Sequence, residues 1–129
     1  MAEIIASPTA LPAALATLGR GECVAIPTET VYGLAADATD GAAVARIYQT
    51  KRRPRFNPLI CHVADMDMAR RIAAFDPLSE KIAASFWPGA LTLVLPLAPG
   101  SPIHPLALAG LPTVAVRMPR GFARALIGA

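Results

Sequence analysis

Four short segments of this 129-residue chain carry the side chains whose types and spacing could do chemistry. They are rich in arginine, lysine and hydroxyl groups, which bind anions. No Ser/His/Asp order, no carboxylate pair and no cysteine nucleophile stands out beside them. Such a set suits nucleotide chemistry, in which positioning and charge neutralisation, usually with Mg²⁺, do most of the work. The four segments span residues 27–34, 51–57, 59–63 and 113–119.

The first segment, Pro-Thr-Glu-Thr-Val-Tyr-Gly-Leu at residues 27–34, follows a predicted strand. Two threonine hydroxyls, the Glu29 carboxylate and the Tyr32 phenol lie within five residues, next to Gly33, which permits close approach of the backbone, so this loop could bind a polar small molecule. The alternative is a strand-to-helix turn whose threonines satisfy their own backbone. The spacing leaves both open, and it matches neither a phosphate-binding P-loop nor a Rossmann glycine fingerprint.

The second segment places four cations within five residues, Lys51-Arg52-Arg53-Pro54-Arg55, followed by Phe56 and Asn57. Residues 51–57 are called the basic segment here. Cations at a helix C-terminus are favoured by the helix dipole, so the run could be a solvated helix end. Neighbouring like charges repel by a few tenths of a kcal/mol, however, and a bound polyanion would relieve that repulsion. The sequence supports both interpretations equally.

The third and fourth segments hold a histidine and an arginine within predicted strands. Strand alternation puts His62 on the face opposite Cys61, and a lone histidine in a strand is more often structural than catalytic. Arg117 ends an apolar strand and shares a face with Thr113. Because residues 82–129 contain no acid, the partner of Arg117 is either distant in sequence or a ligand anion, and we slightly favour the ligand.

Composition narrows the class of protein. Hydrophobic residues make up 54% of the chain and charged residues 16%, which excludes a disordered protein. The length predicts a single domain over residues 1–129. Two cysteines, Cys23 and Cys61, exclude a disulfide-dense secreted scaffold, and their apolar neighbours predict two buried thiols in a reducing cytoplasm.

Neither a membrane helix nor a signal peptide is predicted. Residues 82–116 lack charge, but six prolines divide them into pieces too short to span a bilayer. No basic region precedes the first apolar residues, so we expect no signal peptide.

Predicted strands and helices alternate along the chain, which indicates an α/β sheet with helices packed on its faces. Ligands of such sheets bind where loops leave the strand ends, and the four segments lie there. Strands are predicted at 24–27, 59–63, 91–95 and 113–118, helices at 11–18, 41–50, 66–74, 76–86 and 122–127, and loops at 27–37 and 96–112.

Four motifs in this order resemble the YrdC-like threonylcarbamoyl-AMP synthases. The resemblance implies a twisted, mixed open sheet with helices on its faces and a basic concave surface. The motifs are Pro-Thr-Glu-Thr-Val-Tyr-Gly-Leu (27–34), Lys-x-Arg-Pro-x-x-Asn-Pro-Leu-Ile-x-His (51–62), Phe-Trp-Pro-Gly-x-Leu-Thr (86–92) and Thr-Val-Ala-Val-Arg-Met-Pro (113–119).

The resemblance also implies a reaction. L-Threonine and bicarbonate form a carbamate, which attacks the α-phosphate of ATP and gives threonylcarbamoyl adenylate and pyrophosphate. Mg²⁺ would bridge the phosphates. A partner machinery then transfers the threonylcarbamoyl group to a tRNA adenosine next to the anticodon.

By resemblance, eight residues of this chain would form the site, with Lys51 and Arg53 as the catalytic pair. Threonine would be bound by Thr30, Tyr32, His62 and Arg117, and the nucleotide by Lys51, Arg53, Asn57 and Thr113.

The sequence departs from the family pattern at three places. Arg52 stands where the family usually has a small residue, and Ala90 replaces a usual proline. The family also continues beyond the position of Ala129 into a strand and an Ala-Pro-Ser-x-Asn segment. We therefore expect a domain that is C-terminally incomplete relative to the family.

Three other functions remain open. One is a double-stranded RNA- or tRNA-binding module of the same fold, which the scarcity of aromatic residues disfavours. Another is a carbamoyladenylate-forming domain like those of hydrogenase-maturation carbamoyltransferases, whose zinc-finger cysteines this chain lacks. The last is an inactive fragment with an open sheet edge.

Overall fold

A computed structural model describes residues 10–27 and 32–129 of the chain. Helices and strands are interspersed along the described part, which confirms the predicted α/β class. The helices are α1 (Ala10–Gly19), α2 (Gly41–Lys51), α3 (Met66–Ile72), α4 (Pro77–Phe86) and α5 (Gly121–Gly128), with a 3₁₀ helix at Pro105–Leu108. The strands are β1 (Val24–Pro27), β2 (Tyr32–Ala35), β3 (Ile60–His62), β4 (Leu93–Pro96) and β5 (Thr113–Arg117).

The described strands form two sheets. A three-stranded mixed sheet has the order β3-β5-β4, with β3 parallel and β4 antiparallel to β5. Strands β1 and β2 form an antiparallel pair. The predicted loop over 27–37 is therefore wrong for residues 32–35. The Tyr-Gly-Leu-Ala sequence of β2 lacks strand alternation, and its conformation comes from pairing with β1.

The main core lies against one face of the three-stranded sheet. Alternation along β5 buries Val114 and Val116, while Thr113, Ala115 and Arg117 stay half-exposed on the other face, as predicted. The buried face packs against helices α3 and α4. Its cluster includes Cys61, Val63, Ala69, Ile72, Ala83, Trp87, Val114, Val116 and Met118.

The two thiols differ in burial. Cys61 is buried as predicted, and burial raises its pKa to about 11. Cys23 is only half-buried, so the prediction of a second buried thiol is wrong. Cys23 precedes β1 rather than lying within it, and its Sγ approaches the Ala43 carbonyl at 3.9 Å. Partial burial still raises the pKa of Cys23.

Local capping fixes the starts of two helices where the sequence predicts them. Asp65 accepts a hydrogen bond from the Met68 N–H at the start of α3. Asp76 and Ser79 form a reciprocal capping box at the start of α4. Hydrogen bonds from the Ser79 backbone and hydroxyl lower the pKa of Asp76.

The proline-rich connection between β4 and β5 contains regular structure and is hydrogen-bonded to another part of the chain. The predicted loop contains the 3₁₀ helix Pro105–Leu108, which His104 caps through its Nδ1. The His104 N–H donates to the Ala38 carbonyl. In the part of the chain that the structure describes, no helix has the length and apolar character needed to cross a membrane.

Helix α2 ends at a residue in the left-handed region. Arg52 has φ 51°, and its N–H donates to the Gln49 carbonyl. The next N–H, of Arg53, donates to the Tyr48 carbonyl. For a residue with a Cβ, the left-handed conformation is less stable by about 1–2 kcal/mol, a cost that glycine does not have.

Replacing this residue with glycine should therefore stabilise the chain. We expect Arg52→Gly to raise the free energy of unfolding by about 0.5–1 kcal/mol relative to Arg52→Ala, which removes the same charge but keeps a Cβ. Urea unfolding at one ionic strength measures both variants. Equal stabilities would show that the left-handed conformation of Arg52 carries no cost.

Candidate functional site

One cavity of about 760 Å³ brings together four of the predicted site residues. Its walls are formed by residues 33–39, the end of α2, β3, the end of β5 and part of α5. The predicted residues that line it are Lys51, Arg53, His62 and Arg117.

His62 and Arg117 are neighbours because of the sheet register. In the parallel β3–β5 pair, His62 lies opposite Arg117 and Cys61 lies opposite Val116. Residues paired in this way share a face of the sheet. Cys61 and Val116 therefore enter the core, while the half-buried His62 and Arg117 lie together on the opposite face, where both line the cavity.

Arg117 is held by a hydroxyl rather than by a carboxylate. Its Nε donates to Thr92 Oγ1 at 2.9 Å. The ion pairs among residues 10–27 and 32–129 join Arg20 to Glu22 and Arg70 to Asp67 and Glu80, and none involves Arg117. Within that part of the chain no carboxylate pairs with Arg117, and its anionic partner stays a prediction.

The basic segment folds back on itself. Arg53 donates from Nε to the Asn57 carbonyl at 3.2 Å and from Nη2 to the Pro58 carbonyl at 2.7 Å. Part of the hydrogen-bonding capacity of Arg53 is thus spent on positioning its own loop. Lys51, by contrast, is exposed at the cavity.

Tyr48 supports the basic segment and was not predicted as a functional residue. It is buried, and its hydroxyl lies 2.8 Å from the Asn57 carbonyl and 3.1 Å from the Leu106 carbonyl. The Arg55 guanidinium lies 5.8 Å from the ring centroid, which is a cation–π distance. Tyr48 thereby links helix α2, the basic segment and the 3₁₀ helix.

Three predicted residues are described but do not line the cavity. Tyr32 is 75% exposed at the start of β2, and Asn57 is exposed in the basic segment. Thr113 shares the open face with Arg117 but lies at the other end of β5, about 13 Å away along the strand. Thr30 lies outside the described residues. The ligand contacts of these four residues stay predictions.

The described lining of the cavity is positively charged. Arg71 joins Lys51, Arg53 and Arg117 there, and Asp37 is the acid among the described lining residues. The Asp37 carboxylate accepts hydrogen bonds from the Thr39 N–H and hydroxyl. Such an excess of cations attracts polyanions. Sequence reasoning missed Arg71 because it lies in the last turn of a short helix, where basic residues are ordinary.

The match to known proteins covers most of the chain. The profile of the Sua5, YciO and YrdC family, described as telomere recombination, matches residues 16–128. The threonylcarbamoyl-AMP synthase of Bacillus subtilis is 50% identical over 107 residues, which cover 82% of this chain and 31% of that protein. The enzyme of the same name from Pyrococcus abyssi is 52% identical over 101 residues, 77% of this chain and 29% of that protein. The chain thus spans about a third of the length of these curated relatives.

Solved structures share the fold. The crystal structure of P. abyssi Sua5 complexed with L-threonine has a TM-score of 0.82 and 45% identity, covering 90% of this chain and 34% of that one. E. coli YciO has a TM-score of 0.79 at 20% identity, which supports the fold alone. The predicted resemblance is confirmed by both kinds of comparison.

The contacts of Tyr48 generate a prediction for stability. Tyr48→Phe removes a buried hydroxyl that serves two carbonyls, so we expect a loss of about 1–2 kcal/mol in the free energy of unfolding. Tyr32→Phe removes an exposed hydroxyl and should leave the stability unchanged. Thermal or urea unfolding compares the two variants, and equal effects would contradict the role given to Tyr48.

Proposed function

Because this chain belongs to the Sua5, YciO and YrdC family, we propose that its cavity binds L-threonine and ATP and forms threonylcarbamoyl adenylate. The observation that carries the proposal is the cavity itself, where Lys51, Arg53 and Arg117 lie around one space with His62. A triphosphate and an amino acid carboxylate are the anions that such a set of cations would hold.

The proposed reaction has two steps. The amino group of threonine and bicarbonate form a carbamate with loss of water. A carbamate oxygen then attacks the α-phosphorus of ATP, and the bond from that phosphorus to pyrophosphate breaks. The products are threonylcarbamoyl adenylate and pyrophosphate. Catalysis in such a transfer comes mainly from alignment of the reactants and neutralisation of the phosphate charge.

Threonine is assigned to the His62 end of the cavity. Arg117 would pair with its carboxylate, since the guanidinium fork matches a carboxylate and no described carboxylate occupies it. His62 lies beside Arg117 in the sheet register. Thr30 and Tyr32 complete the proposed threonine site.

ATP is assigned to the basic segment. Lys51 and Arg53 would neutralise the phosphates as pyrophosphate leaves, with Asn57 and Thr113 as further nucleotide contacts. The described residues hold no cluster of three His, Cys, Asp or Glu side chains. Mg²⁺ would enter with the ATP phosphates, whose charge it would help to neutralise, because this ion usually keeps several waters and binds substrate phosphates.

The product has a use only if another component consumes it. We propose that a transfer machinery in the cytoplasm moves the threonylcarbamoyl group to the tRNA adenosine next to the anticodon. Since the chain spans about a third of the length of its curated relatives, the activity of residues 1–129 by themselves is the first thing to test.

The direct test is pyrophosphate release from Mg²⁺-ATP. We expect release from the complete mixture and none when threonine or bicarbonate is omitted. Release that ignores threonine would contradict the proposal, as would a folded chain that neither releases pyrophosphate nor binds threonine. RNA binding with a steep salt dependence and no effect of threonine would favour the RNA-binding alternative instead.

Charge-removing variants separate the two ligands. Arg117→Ala should raise the KM for threonine about 10- to 100-fold, the usual value of hydrogen bonds to a charged group, and change the KM for ATP little. Lys51→Ala should raise the KM for ATP and change the KM for threonine little. Arg53→Ala should weaken ATP more than threonine, with an added loss of stability because Arg53 also holds two loop carbonyls.

Arg46→Ala is the matched control for these variants. Arg46 is exposed on α2 and does not line the cavity, so removing its charge should leave both KM values unchanged. If Arg46→Ala weakened ATP as much as Lys51→Ala does, general surface charge would explain the effect better than the proposed site.

A further inference from the structure

We propose that Thr92 is a positioning residue that orients the Arg117 guanidinium toward the cavity. Thr92 ends the Phe-Trp-Pro-Gly-x-Leu-Thr motif at residues 86–92 and is not among the eight predicted site residues. The ligand concerned, the threonine carboxylate, rests on the proposed function, whereas the orienting contact itself does not.

Sheet register brings the two side chains together. Thr92 directly precedes β4, and the first pair of the antiparallel β4–β5 ladder is Leu93 with Val116. One step further along both strands, Thr92 stands opposite Arg117 and on the same face. The contact is a hydrogen bond from Arg117 Nε to Thr92 Oγ1 at 2.9 Å, between half-buried side chains.

The choice of nitrogen matters for function. A bond at Nε fixes the plane of the guanidinium and leaves the two terminal nitrogens available as a fork. None of the described residues accepts a hydrogen bond from those terminal nitrogens. A threonine hydroxyl brings no charge, so it restrains the arginine without neutralising it.

The rest of the motif holds Thr92 in place. The Trp87 ring N–H donates to the Leu91 carbonyl at 2.8 Å, next to Thr92 in the chain. Trp87 is itself buried and meets Phe75 edge to face, with ring centroids 6.2 Å apart. The segment that leads from α4 to β4 is thereby fixed to the core just before the hydroxyl.

A second pair of contacts ties the same segment to the chain beyond Arg117. The Gly89 N–H donates to the Met118 carbonyl at 2.9 Å, and Arg120 Nε donates to the Pro88 carbonyl at 2.9 Å. A Cβ on Gly89 would lie 2.7 Å from the Phe86 carbonyl oxygen, so this turn needs glycine. The residues just before Thr92 and just after Arg117 are therefore fixed by hydrogen bonds, and the two side chains are kept in position to meet.

Two variants separate positioning from packing. Thr92→Val keeps the branched shape but removes the oxygen that accepts the bond, whereas Thr92→Ser keeps the oxygen and removes a methyl group. A positioning role predicts loss of function in Thr92→Val and rescue in Thr92→Ser. If Thr92 only fills space, Thr92→Val and Thr92→Ser should affect function to a similar extent, because each variant changes the packing.

The first measurement needs no ligand. The Nε–H signal of Arg117 is identified in a ¹⁵N NMR spectrum of the 129-residue chain by its loss in Arg117→Lys. We expect this proton to exchange slowly in the wild type and in Thr92→Ser, and at least several-fold faster in Thr92→Val. An unchanged exchange rate in Thr92→Val would overturn the proposal whether or not the chain is an enzyme.

The second measurement is steady-state kinetics of pyrophosphate release. We expect Thr92→Val to raise the KM for threonine about 5-fold, the value of one ordinary hydrogen bond, with the KM for ATP unchanged and Thr92→Ser close to wild type. Equal increases in both KM values would overturn the positioning role. If the wild type shows no threonine dependence, the proposed function fails, and the exchange measurement alone decides the role of Thr92.

Discussion

The parallel pairing of β3 with β5 is the constraint on which both the core and the site depend. Alternation along each strand sends Cys61, Val114 and Val116 into the core and leaves His62 beside Arg117 on the opposite face. A slip of β5 by one residue would turn its side chains over, burying Arg117 and exposing Val114 and Val116. The burial of apolar side chains and the assembly of the polar site are thus consequences of one register.

Two of the neighbouring cations of the basic segment, Arg53 and Arg55, make contacts with other parts of the chain. Arg53 gives up two of its donors to loop carbonyls, and the Arg55 guanidinium lies over the buried Tyr48 ring. Arg53 and Arg55 are therefore held by contacts of different kinds, while Lys51 is exposed at the cavity. In the proposed function, a phosphate group would meet an Arg53 side chain that is already positioned, which lowers the ordering cost of binding.

Features set by nearby residues could be predicted from sequence, while those set by distant pairing could not. The caps at Asp65 and Asp76 and the alternation along β5 depend on residues a few positions apart. Strand β2 exists through its pairing with β1, and Thr92 meets Arg117 across 25 positions, so neither has a local signature. The ligand contacts of Thr30, Tyr32, Asn57 and Thr113 remain predictions.

The burial of Cys61 also bears on how the sheet would withstand oxidants. Burial raises the pKa of the Cys61 thiol to about 11, so the thiol stays protonated at pH 7, and the thiolate is the form that reacts with peroxides and disulfides. The buried Cys61 thiol, next to His62 in β3, is therefore expected to react slowly with these reagents. Cys23, half-buried ahead of β1, is the sulfur that such reagents would reach first.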